Sequence, residues 1–253
     1  MRKSKSILGM RVDVSSLPSA VSILDDFVRQ GIGRYVCVSN VHMCMESFDD
    51  INFRELVNAS DLVVPDGKPL VWAQSLLGVK DANQVRGMDL MLTLCEHAAK
   101  EGFPIGLYGA TSVILSKLEK NLQDRFMGIQ IASVIAPPFR ALTAQENDQY
   151  INQITDAGVR ILFVGIGCPK QERWMAENKS NLNCVMLGVG AAFDFIAGQK
   201  HHAPDWMQAI GLEWLFRLLC EPRRLWKRYM KQNPRFVWYF LKQLLSEKIK
   251  SKK

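Results

Sequence analysis

The sequence has no hydrophobic run long enough to cross a bilayer. Its longest uncharged stretches, such as Gly102–Ser116, fall short of the ~18 apolar residues that a spanning helix needs. The first residues, Met1-Arg-Lys-Ser-Lys-Ser, are basic and have no apolar signal-peptide core behind them. No two of the six cysteines stand in C-x-x-C spacing. That speaks against a zinc ribbon and leaves no disulfide framework, so a reducing, cytoplasmic setting is expected. A full G-x-G-x-x-G is missing, because the third position after Gly165 and Gly167 is Lys170. There is no G-x-x-x-x-G-K-[ST] and no G-x-S-x-G. These gaps disfavour a standard dinucleotide enzyme, a P-loop NTPase and an α/β-hydrolase. Histidine is scarce: His42, His97, His201 and His202 are the whole supply. No second cluster completes a metal site beside His42 and Cys44, and no D-x-D pair is present. The nearest pattern, Glu146-x-Asp148, reads as the polar first turn of a helix. Neither a metal nor a cofactor is therefore expected.

What is present is a chain of 253 residues, 48% of them hydrophobic, which supports one large buried core or a core plus an appendage. The net charge of +7 is unevenly spread. Residues 1–199 carry 19 basic and 21 acidic side chains, whereas residues 200–253 carry 13 and 4. The basic last fifth also holds Trp206, Trp214, Trp226, Phe236, Trp238 and Phe240. A basic amphipathic helix of this kind suits an anionic membrane surface. A helical hairpin packed on the body is the plainer alternative, and a nucleic-acid tail would carry less Trp and Leu.

Six short apolar runs read as buried strands: Tyr35–Ser39, Leu62–Pro65, Pro104–Tyr108, Ile129–Val134, Ile161–Gly165 and Val185–Val189. Helical spacing fills Ser19–Gln30, Val41–Ala59, Gly87–Lys100, Ser112–Phe126, Gln145–Ala157 and Gln171–Ser180. Strands alternating with helices predict an α/β fold with a doubly wound, mostly parallel, Rossmann-like sheet. Met1–Val14 adds an edge hairpin or strand. Gly198 and Pro204 mark a boundary, giving an α/β body over 1–198 and a basic helical appendage over 199–253. In the appendage helices are expected over Pro204–Leu219, Pro222–Gln232 and Pro234–Lys250, with Pro222 and Pro234 in first turns. Phe236, Phe240 and Leu244, with Val237, Leu241 and Leu245, recur at i, i+4 as one apolar stripe. That stripe suits a neighbouring helix nearly as well as it suits lipid.

Ligands of open α/β sheets bind beyond the carboxyl ends of the strands. The segments there begin at Ser39, Pro65, Gly109, Gly165 and Gly190, and carry Asn40, Asp66, Lys170, Gln171, Glu172 and Asp194. Small residues in such turns let backbone N–H groups approach a phosphate or sugar. Asp66 ends an apolar strand, where a carboxylate can act as a general base or merely cap the following helix. Asp89 reads as a helix cap, and Arg86 can bind phosphate or pair with Asp89. If a diphosphate leaves without a metal, cations must replace it. Arg217, Arg224 and Arg228 are spaced to share one helical face, although Pro222 can break that register; a solvated basic face is the alternative.

Together these motifs resemble the WecG/TagA/CpsF glycosyltransferase family (glycosyltransferase family 26) over about residues 8–232. The resemblance rests on linked segments in the family's order: Val38-Ser39-Asn40-Val41-His42-Met43, Ser60–Gly67, Val85–Leu90, Gly165–Glu172 running into Arg173-Trp174, Gly188–Gly198 with Ala203-Pro204-x-Trp206-Met207, and Gly211–Arg224. It implies inverting, metal-free transfer of a sugar, of the N-acetylmannosamine type or a uronic acid. The donor would be a UDP-sugar. The acceptor would be a polyprenyl-diphosphate-linked saccharide at the inner face of the membrane, in cell-surface or exopolysaccharide synthesis. By this resemblance Asp66 matches the general base. Asn40 and Gln171 match pocket residues. Arg217 and Arg224 match arginines that close over the site and steady the diphosphate, and the appendage matches a membrane-associated lid. Arg86, Asp89, Gly109, Gly165, Gly167, Lys170, Glu172, Asp194 and Arg228 complete the expected substrate-binding set. The family's Thr two residues before the Asn is Val38 here. Expected partners are the donor, the acceptor, the inner membrane surface and, in an oligomer, a second copy; no nucleic acid is expected. The competing class is a basic membrane-attached scaffold or nucleic-acid-binding protein without catalysis, which salt-sensitive strand binding without turnover would reveal.

Overall fold

The computed structural model describes residues 2–250. The chain opens with a hairpin, β1 (Ser4–Ile7) and β2 (Met10–Asp13), which forms a two-stranded sheet of its own instead of an edge of the main one. Helix α1 (Leu17–Gln30) follows, capped by reciprocal Ser16–Ser19 bonds. Then come β3 (Arg34–Ser39), α2 (Val41–Asp49), α3 (Ile51–Ala59), β4 (Leu62–Pro65), α4 (Lys68–Leu76) and α5 (Gly87–Glu101). The second half runs β5 (Ile105–Gly109), α6 (Ser112–Arg125), β6 (Ile131–Ile135), α7 (Ala144–Asp156), β7 (Ile161–Gly165), α8 (Lys170–Asn178), β8 (Val185–Gly188) and α9 (Ala192–Ile196). The appendage contributes α10 (Asp205–Ala209), α11 (Glu213–Cys220) and α12 (Pro222–Lys250).

The main sheet has six parallel strands in the order β4-β3-β8-β7-β5-β6. Alternation along each strand divides the core in two. Tyr35, Cys37, Val63, Leu162, Val164 and Met186 face a layer built from α2, α3, α4, α7, α8 and α12. Val36, Val38, Leu62, Val64, Phe163 and Leu187 face α1, α5, α6 and α9. Both faces are covered, so the sheet is doubly wound and Rossmann-like, with the long C-terminal helix packed on one face.

Helix boundaries differ from the sequence expectation at four points. Val41–Ala59 is two helices, because the Asp50 carboxylate accepts from the Asn52 and Phe53 amides and starts a new one. The first appendage helix breaks at Gly211, which has φ +77°. Pro234 lies inside one continuous helix, α12, instead of beginning a second. The packing of residues on both sides of Pro234 overrides the hydrogen bond its ring removes. Helices α4 and α9, which follow strands directly, were not anticipated.

Helix α12 is clasped to the body on one side. Phe236 and Phe240 enter the core, with Leu244 packed against them. The Gln232 amide links His42 and Glu46 at 2.8 and 3.0 Å. Arg235 grips Asp49 with two bonds, and Gln243 reaches Ser6 and Leu8. The apolar stripe is therefore split: its Phe236 row is buried, and its Val237, Leu241 and Leu245 row is exposed.

Candidate active site

The loops beyond four adjacent strands, β4, β3, β8 and β7, converge on a cavity of about 290 Å³. They bring Asp66, Asn40, the Val189–Ala192 turn and the Gly167–Gln171 turn to its wall. The amino end of α5 adds Arg86 and Gly87. The appendage closes the opposite side with Gln208, Glu213, Arg217, Arg224 and Arg228. Thus Asn40, Asp66, Arg86, Gly167, Gln171, Arg217, Arg224 and Arg228 all meet, although they are scattered from the end of β3 to the last helix.

Asp66 is held by its own backbone: its N–H donates to the Ser39 carbonyl at 2.8 Å, and its carbonyl accepts from the Gln84 amide. The carboxylate does not cap α4, whose first cap is Gly67 with no side-chain bond. Instead its Oδ1 accepts from the Gly87 N–H of α5 at 2.9 Å. Enclosure of the group pushes its pKa up to about 6, helped by the negative charge of Glu213. The Gly87 amide, Arg217 and Arg86 pull the other way. A carboxylate poised near 6 is a competent proton acceptor at neutral pH.

Asn40 spends its side-chain oxygen on the Met43 amide at the start of α2. Its NH₂ therefore carries whatever bonding it offers the cavity. Gln171 is buried; its oxygen accepts from the Gly167 N–H at 3.2 Å and its nitrogen donates to Glu172 at 2.7 Å. Gly167 has φ +87°, which a side chain would strain. A Cβ at Gly188 would lie 2.8 Å from the Gln171 amide nitrogen, so the strand must be bare for Gln171 to fit.

Three arginines of the wall, Arg86, Arg217 and Arg228, each bury an Nε with no protein partner. Buried guanidinium donors without an acceptor are costly. An anion entering the cavity would satisfy them in the forked geometry that phosphate favours. Arg217 also lies over the Phe195 ring at 5.5 Å. Arg224 is different: it is half-exposed and its Nε is held by Glu221 at 2.5 Å. Arg217 lies on α11 while Arg224 and Arg228 lie on α12, so the shared face expected on one helix is instead made by two helices that fold at Glu221.

The remaining expected residues stand off the wall. Asp89 pairs loosely with Arg86 at 3.7 Å. Gly109 and Gly165 are tight packing points: a Cβ on the first would strike the Gly165 backbone, and on the second the Phe193 ring. The Gly109 turn belongs to β5, one strand beyond the four that form the cavity. Lys170 is exposed at the start of α8. Glu172 is wholly buried behind Gln171; burial pushes its carboxyl up to about 7, and its Oε2 has no partner. Asp194 is bound by Lys200 at 2.6 Å, and Lys200 reaches Glu221 at 3.4 Å. That chain of charges ties the body to Arg224. Among the described residues no group of three or more His, Cys, Asp or Glu is placed to hold a metal ion.

Sequence reasoning gave no role to Glu213, which lines the cavity and raises the Asp66 pKa. Its only signal was membership of the Gly-Leu-Glu-Trp-Leu segment; nothing local brings it to Asp66. Val38, at the family's Thr position, lines the cavity and lies 3.2 Å from where a Gly87 Cβ would stand.

A family model described as "Glycosyl transferase WecG/TagA/CpsF family" matches residues 5–250. A Bacillus subtilis (strain 168) protein is 27% identical over 237 residues, 92% of this chain and 90% of the relative. Its name is N-acetylglucosaminyldiphosphoundecaprenol N-acetyl-beta-D-mannosaminyltransferase. A Bacillus spizizenii protein of the same name is 26% identical over 230 residues, covering 90% of this chain and 87% of its own length.

Proposed function

The chain belongs to the WecG/TagA/CpsF glycosyltransferase family, and from that premise we propose that it moves a sugar from a UDP-sugar to a polyprenyl-diphosphate-linked saccharide. The sugar is of the N-acetylmannosamine type or a uronic acid, and transfer inverts the anomeric centre. The observation that carries this reading is the pairing of Asp66 with buried, unpartnered arginine donors in one cavity. The relatives' names supply the acceptor class and a β-linked N-acetylmannosaminyl product.

In this mechanism the acceptor hydroxyl lies between Asp66 and the sugar C1. Asp66 takes its proton as the oxygen attacks the face opposite the leaving group. UDP departs, and charge grows on the β-phosphate. Arg217 and Arg224, joined by Arg86, Arg228 and the N–H groups of the Gly167 turn, stabilise that charge without a metal. Residues 1–198 carry the acceptor-activating chemistry. Residues 199–253 act as the lid that delivers the arginines and as the contact with the inner face of the membrane, where the product enters a cell-surface or exopolysaccharide. No helix among the described residues is long and apolar enough to cross a membrane, so this contact is peripheral.

The test is UDP release from a panel of UDP-sugars, with and without a polyprenyl-diphosphate-linked monosaccharide, in EDTA. Acceptor-dependent release with one donor is the expected result. Release without acceptor would make the chain a hydrolase, and loss of release in EDTA would end the metal-free mechanism.

A further inference from the structure

A second cavity, a trough of about 460 Å³, shares Asp66, Glu213, Arg217 and Arg228 with the first and runs away from it between α4 and α12. This lies within the ~300–1,000 Å³ typical of ligand sites. Its far walls are apolar: Trp72 and Leu76 of α4 face Trp214, Val237, Phe240 and Leu241. Several of these are poorly covered, with Leu76 64%, Val237 56% and Leu241 50% exposed. Along α12 the distance from Arg228 to Leu241 is roughly 20 Å at the helical rise per residue. The trough is therefore cationic at one end and apolar for most of its length.

We propose that this trough seats the first isoprenoid units of the acceptor, with the acceptor's diphosphate on the trough side of Arg217 and Arg228, whose other side faces the donor's leaving phosphate. The assignment rests on the acceptor class proposed above and adds where its lipid runs. Two observations select this occupant. The apolar walls are continuous with the cavity that holds Asp66, so a lipid lying there places its own head group beside the base. Arg217 and Arg228 line both cavities, so beyond the leaving phosphate held in the first they offer guanidinium donors to an anionic group joined directly to an apolar chain in the second. The exposed row continues beyond the trough through Leu245, giving the rest of the chain a path toward a bilayer.

The experiment uses the full-length chain and two acceptors with the same saccharide-diphosphate head, one on a polyprenyl chain and one on a short alkyl chain. Leu76→Gln, Val237→Gln and Leu241→Gln change exposed positions on opposite walls. Each should raise the KM for the polyprenyl acceptor about tenfold relative to the short one. Met127→Gln, exposed on the body away from the trough and the appendage, should leave that ratio alone. An unmoved ratio in the trough variants, or an equal shift in Met127→Gln, overturns the assignment. So does loss of binding to phosphatidylglycerol vesicles in the trough variants with the ratio intact, since the groove would then hold bilayer lipid. Quenching of tryptophan fluorescence by polyprenyl diphosphate alone separates this idea from the transfer reading. Saturable quenching that the trough variants weaken supports the groove even if no sugar is transferred. No saturable quenching overturns it even where transfer is seen.

Discussion

A carboxyl group that burial and Glu213 push up to about 6 favours its neutral form in the folded chain. The stability linked to it is present below its unfolded value near 3.8 and is lost as pH rises through about 6. At neutral pH the ionised Asp66 therefore destabilises the fold, the penalty expected of the general base proposed above. Asp66→Asn should cut turnover ~10²–10⁴-fold while raising unfolding free energy at pH 8 by roughly 1–3 kcal/mol. Steady-state kinetics and urea melts of one preparation check both; near-normal turnover would remove the base role. In the parent enzyme kcat/KM should fall as pH drops through about 6. Glu172 obeys the same sign at a higher pH, since burial pushes it to about 7. Its proton is held where an ionised carboxylate would leave Oε2 without a partner. Glu172→Gln, made in the Asp66→Asn background to isolate it, should flatten the decline of Tm between about pH 4.5 and 7. An unchanged slope would mean that Glu172 is already ionised in the fold. The sequence marked both carboxyls as site residues, but position along the chain could not distinguish one at the cavity wall from one buried behind it.

Neighbouring residues of α12 should respond very unequally to truncation to Ala. Phe236 is 4% exposed and its ring stacks on Phe240 within the core. Phe236→Ala should destabilise by ~3–5 kcal/mol, whereas Val237→Ala, on the open row, should stay within ~0.5 kcal/mol. Urea denaturation of the two variants measures the difference, and equal effects would mean that the helix is not docked in solution. Strands were the most legible elements, because a parallel strand covered on both faces must be an unbroken apolar run bounded by turn residues. Helix ends were less so. Asp50 starts α3 through its side chain, and Pro234 is carried inside α12 by contacts that lie far away in sequence. The strand-end rule found Asn40, Asp66 and Gln171, since in a parallel sheet the carboxyl ends of adjacent strands share one edge. The same rule gave the Gly109 turn equal weight, because strand order, which sets β5 one place too far along, is not written locally. Glu213 escaped it altogether, since it arrives from a helix that closes over that edge.

At the scale of the molecule the charge split and the exposed apolar residues coincide. Trp226 and Met230 are exposed on α12 beside the exposed Arg223, Lys227 and Lys231. The buried Phe236 row holds the helix against the body, so the exposed side chains are presented on a fixed scaffold and need no folding on arrival. Each Lys or Arg near an anionic surface contributes ~1 kcal/mol, and that attraction is screened beyond ~8 Å at physiological salt. Apolar contacts of the tryptophans are not screened. Binding to phosphatidylglycerol vesicles should therefore weaken at least tenfold between low salt and ~0.5 M and keep a residual salt-resistant part. Sedimentation of the full chain with vesicles checks this, with phosphatidylcholine vesicles as the neutral comparison. Trp226→Ala should lower the salt-resistant part, and Lys227→Gln with Lys231→Gln the salt-sensitive one. Transfer to an acceptor embedded in the vesicles should follow binding, whereas transfer to a water-soluble acceptor should not, because the cavity that holds Asp66 lies on the body side of the same helices. Equal affinity for anionic and neutral vesicles at low salt would assign the basic face to solvent and leave membrane contact to the lipid-linked substrate alone.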